Sequence, residues 1–143
     1  MDGKSGEILI LNTIINKTLD KNVFIKNLGV FLEDIKEEQD VFEFKDAVEI
    51  ESMRFWTWII FNHNHVASIM LENADKDLLN SYTNWSNHNV KKKRQLHDEW
   101  LIGNLGSDYE KTPTSIIFKR NWGEVTSYTD MKSGEVRISV VYY

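Results

Sequence analysis

Apolar positions along this chain change period several times, and each change marks a predicted element. Glu7 to Ile15 is short and rich in Ile and Leu, which predicts a strand, closed by the polar stretch Asn16 to Asn22. Phe24, Leu28, Phe31, Leu32 and Ile35 then fall at i, i+4, i+7, i+8 and i+11, the stripe of an amphipathic helix. Asp20 is placed as its N-cap, with Leu19 and Phe24 as a hydrophobic staple. Gly29 interrupts the stripe at a cost of about 1 kcal/mol of helix propensity. It either lets the helix pack closely on a sheet or ends it early, and close packing is the favoured expectation.

From Val41 the period falls to two. Phe42 and Phe44 share one face, and Met53, Phe55, Thr57, Ile59 and Phe61 alternate with Arg54, Trp56, Trp58 and Ile60. Such a strand is either covered on both sides or presents Trp56 and Trp58 as an exposed aromatic patch. Asn62 to His65 predicts a turn and Val66 to Leu71 the return strand of a hairpin. Helical spacing recurs at Leu78, Tyr82 and Trp85, and again at Leu96, Trp100, Leu101 and Leu105 with Gly106 as the C′ residue, so one long helix or two short ones fit. After Pro113, Ser115 to Trp122 predicts a strand with Ile116, Phe118 and Trp122 on one face and Arg120 between them. Val125 to Thr129 and Val136 to Tyr142 flank an Asp130 to Gly134 turn, with Val136, Ile138, Val140 and Tyr142 as the core face. No linker or repeat interrupts this order. It predicts a single α+β domain over residues 1–143, a mainly antiparallel sheet with two helices packed on one face.

Composition adds little beyond a globular class: 41% hydrophobic, 12% aromatic and 27% charged residues. The lack of cysteine removes disulfides, thiolate metal sites and cysteine nucleophiles together. The polar N-terminus does not resemble a signal peptide. No apolar run approaches the ~20 residues needed to span a bilayer, and the longest, Phe55 to Phe61, is interrupted by Thr57. The expectation is a cytoplasmic protein without a membrane partner.

Charge changes the picture. Glu33 to Glu51 holds nine carboxylates against Lys36 and Lys45, a local charge of −7 in a chain of −5, so the remainder carries +2. Phe42, Phe44, Val48 and Ile50 lie in the same stretch. Acidic runs are commonly solvated faces, but this concentration beside aromatic residues points to a basic partner. Glu33, Glu37, Glu38, Asp40, Glu43, Asp46, Glu49 and Glu51 are the expected steering and rim residues, and Trp56 and Trp58 the expected aromatic contacts. Trp100 and Trp122, at apolar-face positions, are assigned to the core.

Other chemistry is thin. His63 and His65 would face the same way on a strand but lack a third ligand nearby and read as turn residues, so no metal or cofactor is expected. His97-Asp98-Glu99, consecutive on a helix, cannot form a catalytic set and reads as a solvated edge. Glu49 and Glu51 alternate onto one strand face as a carboxylate pair would, with nothing else in support. No nucleophile elbow, phosphate-binding loop, dinucleotide fingerprint or zinc-protease motif is present, so an enzyme is disfavoured. Lys91-Lys92-Lys93-Arg94 is a compact basic turn in a chain of pI about 5.4, and nucleic acid is not an expected partner.

Trp100-Leu101, Leu105-Gly106, Phe118, Trp122-Gly123, Asp130, Lys132-Ser133-Gly134, Ile138 and Tyr142 form a spacing that resembles one shared by small bacterial immunity-type proteins of polymorphic-toxin and contact-dependent inhibition loci. The resemblance covers the C-terminal half and consists of structural residues. It implies a cytoplasmic immunity protein that binds and neutralises a cognate toxin domain, often a nuclease, at its active site or a neighbouring exosite. No inhibitory residue of that family is carried over. Two readings of other classes stand beside it: a small-molecule-binding module or small enzyme with a pocket lined by Trp56, Trp58 and Trp85, and a homodimer that buries the Trp56/Trp58 face.

Overall fold

A computed structural model describes residues 1–79 and 85–143. Strands β1 (Ile8–Ile10) and β2 (Thr13–Ile15) form a small ribbon, followed by α1 (Lys21–Leu28) and by β3 (Val41–Glu43), β4 (Val48–Ile50), β5 (Met53–Asn62) and β6 (His65–Asn73). Helix α2 (Asn87–Leu105) leads into β7 (Glu110–Lys111), β8 (Ser115–Arg120), β9 (Gly123–Thr129) and β10 (Val136–Tyr142). The large sheet runs β3-β5-β6-β10-β9-β8-β7, with β4 also paired to β5, and all its pairings are antiparallel. The fold is α+β.

Both helices cover one face. Phe24 of α1 meets Phe42 and Phe61 at ring separations of 5.4 and 5.2 Å, and Trp100 of α2 meets Phe55 edge-on at 4.9 Å. Phe55, Thr57, Ile59 and Phe61 are the buried positions of β5, so the alternation read from the sequence selects this face. Ile8, Ile10 and Ile15 of the ribbon close the same core. The opposite face carries Trp56, Trp58, Ile60, Met70, Arg137 and Tyr128, all half-buried. Neither expectation for β5 is met in full: the helices cover one face only, and Trp56 and Trp58 on the other are half-buried rather than exposed.

Several predicted boundaries hold for the expected reasons. Asp20 caps α1, its carboxylate accepting the N–H groups of Asn22 and Val23 at 2.8 and 3.3 Å. Gly106 closes α2 with φ of 85°, its N–H on the Ile102 carbonyl, a conformation glycine enters without penalty. Val136, Ile138, Val140 and Tyr142 are buried, and Trp100 and Trp122 belong to the core at 8% exposure each.

Several expectations change or are resolved. Glu7 to Ile15 is two strands, not one, because Leu11 takes φ of 54° and reverses the chain, pairing Ile8 with Ile15. The helix stops at Leu28. Gly29 keeps ordinary helical dihedrals and lies against Ile25 and Ile35 rather than the sheet, so it does not seat the helix; the helical geometry is lost at Leu28, with φ of −120° and ψ of −4°. Tertiary backbone bonds then draw the next residues into extended geometry: Lys45 N–H to the Phe31 carbonyl and Glu33 N–H to that of Glu43, each 2.9 Å. Leu32 stays buried while Phe31 and Ile35 stand outside. Among the described residues of the second helical region, one helix of 19 residues begins at Asn87. Leu78 belongs to a short 3-10 turn, and Tyr82 lies outside the described residues.

The core stripe of α2 is Lys93, His97, Trp100 and Leu101, all buried, so His97 is no solvated edge. Burial first, and then the charges of Lys93 and Arg94, push the imidazole down to about 3. Lys93 is compensated by Glu72 at 2.9 Å, and Arg94 by Asp98 one turn on at 2.7 Å.

Candidate protein-binding surface

Strands β3 and β4 occupy the same side of β5, β4 pairing with its first residues and β3 with its later ones. Phe42, Phe44, Val48 and Ile50 point into the core, so the alternating Glu43 and Glu49 must point to the open face. There Glu43 stands directly opposite Trp58, and Glu49 opposite Arg54. Across β5, Trp58 faces Met70 and Trp56 faces Glu72. Local alternation and antiparallel register thus bring Glu43, Glu49, Trp56 and Trp58 together on one face.

Trp58 has a cationic neighbour that sequence reading missed. The Arg137 guanidinium lies 5.5 Å from its ring centroid, within cation–π range. Arg137 is tied to Glu135 at 3.2 Å and to Glu72 at 3.7 Å, and Glu72 in turn holds Lys93. One wall of the aromatic patch is therefore a fixed charge network joining β6, β10 and α2.

The remaining predicted carboxylates divide. Glu33 is carried beside β3 by its backbone bond to Glu43, Asp46 lies in the β3–β4 connection, and Glu37 and Glu38 occupy the loop before β3, all exposed. Asp40 is also exposed but is not free, for Lys21 holds it at 2.6 Å. Glu51 leaves the group: the strand ends at Ile50, Glu51 turns with φ of 47°, and its carboxylate takes the Met1 amine at 2.9 Å. It therefore forms no strand-face pair with Glu49. His63 has φ of 57° in the β5–β6 turn and hydrogen-bonds Asn62, the turn role expected of it. Among the described residues no group of three or more histidines and carboxylates is placed to hold a metal ion.

The concave alternative lies elsewhere. A groove of about 560 Å³ runs along α2 between Val90, Arg94, Ile102, Pro113, Thr114 and Met131. Trp56 and Trp58 do not line it, and Trp85 packs against the Gly134 turn, so the three tryptophans do not form the expected shared pocket. The signal for the α2 stripe was present in the sequence as the spacing 93, 97, 100, 101. It was hidden because two of its members are polar. No helix among the described residues is long and apolar enough to cross a membrane. The chain matches no family model, no curated protein and no solved structure.

Proposed function

We propose that this chain is an immunity-type protein that acts in the cytoplasm, binding a cognate toxin domain through its acidic sheet edge and blocking that domain's active site or an adjacent surface. The observation that carries the reading is the convergence of Glu43, Glu49, Trp56 and Trp58 on one open face, bordered by the exposed Glu33, Glu37, Glu38 and Asp46. A toxin that handles nucleic acid presents a basic cleft. An acidic edge draws such a surface in by long-range attraction, at rates up to ~10⁸–10⁹ M⁻¹s⁻¹ at low salt. Charge alone is screened within about 8 Å at physiological salt, so affinity needs a desolvated centre, which aromatic side chains supply.

Co-expression with the C-terminal domain encoded by the reading frame immediately upstream tests this. Growth rescue together with a stable complex on co-purification supports immunity. A domain that is toxic and stays unbound and unneutralised removes the reading, as does one that is neither toxic nor bound.

A further inference from the structure

Three large apolar side chains stand in water at the start of the same acidic segment: Val30 is 78% exposed, Phe31 45% and Ile35 42%. The early end of α1 brings them together. Val30 and Phe31 follow Gly29 in a 3-10 turn, and Ile35 folds back so that its Cδ1 lies 3.6 Å from where a Gly29 Cβ would stand. The knuckle is held in place by the bonds from Lys45 to Phe31 and from Glu33 to Glu43, and the Lys45 ammonium reaches the Val30 carbonyl at 3.5 Å. Glu33, Asp34, Glu37 and Glu38 adjoin it in the chain, all exposed, with Lys26, Lys36 and Lys45 as the cations of the same stretch. A β-branched residue, an aromatic and an isoleucine clustered in solvent do nothing for the core, which Leu28 and Leu32 on either side already serve.

We propose that Val30, Phe31 and Ile35 are the anchor that this chain seats in an apolar pocket of a basic protein partner, a pocket rimmed by lysine or arginine side chains that meet Glu33, Asp34, Glu37 and Glu38. The inference rests on the partner-binding reading above and narrows it. The centre of the interface is this knuckle, whereas Trp56 and Trp58 are flanking contacts, Trp58 being already covered on one side by Arg137. Charge complementarity selects the occupant. Even with Lys36 and Lys45 counted, Glu33 to Glu51 keeps a net charge of −7, so an apolar pocket without a basic rim would leave most of these carboxylates unpaired, and a second copy of this chain would set like net charge against like.

The test measures binding of the upstream-encoded toxin domain, in an inactivated form, to the wild-type chain, to F31S/I35S and to E37K/E38K, alongside thermal melts. Expected are an affinity loss of ~30-fold or more for F31S/I35S, mainly through faster dissociation. E37K/E38K should slow association at low salt, and the melting temperatures should stay near wild type. Hydrogen exchange on the wild-type complex, which needs no variant, should show protection across residues 30–38. Wild-type binding that F31S/I35S changes less than threefold, or protection confined to other segments, overturns the anchor while leaving the functional reading intact. Self-association of the free chain that F31S/I35S abolishes overturns the choice of partner. Absence of wild-type binding overturns the functional reading and the anchor with it.

Discussion

The imidazole Nε2 of His97 accepts the backbone N–H of Asn73 at 3.0 Å, a bond that joins α2 to the end of β6 inside the core. The proton of the neutral ring is therefore on Nδ1, which has no partner among the described residues. Protonating Nε2 would both break the bond and place a charge beside Lys93 and Arg94. The folded value of about 3 lies below the unfolded 6.5, so the unfolded chain binds the extra proton between these limits. The stability from this group is complete above pH 6.5 and lost as the pH falls towards 3, by about 1.4 kcal/mol per pH unit well inside that window. Denaturant melts from pH 7.5 to 4 should show the loss, and it should shrink in H97Q. An NMR titration of His97 with a midpoint near 6.5 would refute the account.

Lys93 is buried at 5% exposure with its ammonium on Glu72. Truncation in K93A removes the stem packing and leaves Glu72 with Arg137 as a more distant partner, and should cost about 2–3 kcal/mol. K93M keeps the stem and should cost less than half as much. Urea midpoints at pH 7.5 compare the two, and equal losses would mean that the charge, not the packing, dominates.

Gly123 faces Tyr142 across β9 and β10, and a Cβ there would overlap the carbonyl oxygen of Val141. Because the obstacle is backbone, no rotamer change relieves it. G123A should cost about 3 kcal/mol or more and displace the terminal hairpin, on which Trp122 and Tyr142 hold the N-terminal segment through bonds to Gly3 and Gly6. Thermal melts and amide exchange in β10 measure it; a wild-type melting temperature would contradict the close approach.

Charge reversal separates steering from anchoring. Glu33, Glu37 and Glu38 are the positions to reverse; replacing Asp40 by lysine would instead set it against Lys21 and confuse stability with binding. E33K/E37K/E38K should slow association with a basic toxin domain about tenfold or more at low salt and flatten its salt dependence, while dissociation changes less. Stopped-flow rates across ionic strengths decide this, and an unchanged salt slope would remove the acidic loop from the encounter.

Local pattern fixed the β5–β6 and β9–β10 hairpins, the caps at Asp20 and Gly106 and the buried positions of β5 and β10, because period, capping chemistry and turn residues act within a few neighbours. The same pattern located the acidic segment and the two tryptophans but left open whether they would meet. The tertiary structure decided that. The pairing of both β3 and β4 with one side of β5 turned Glu43 and Glu49 onto the Trp56/Trp58 face, and long-range backbone bonds drew the residues after the first helix out of helical geometry, with Phe31 and Ile35 left exposed. Burial also reversed the reading of Lys93 and His97, whose polarity suggests water. Only the approach of Glu72 and Asn73, more than twenty residues earlier in the chain, supplies the partners that make their burial tolerable. Such pairings depend on which segments a closed core brings together, and that information is absent from any single stretch of sequence.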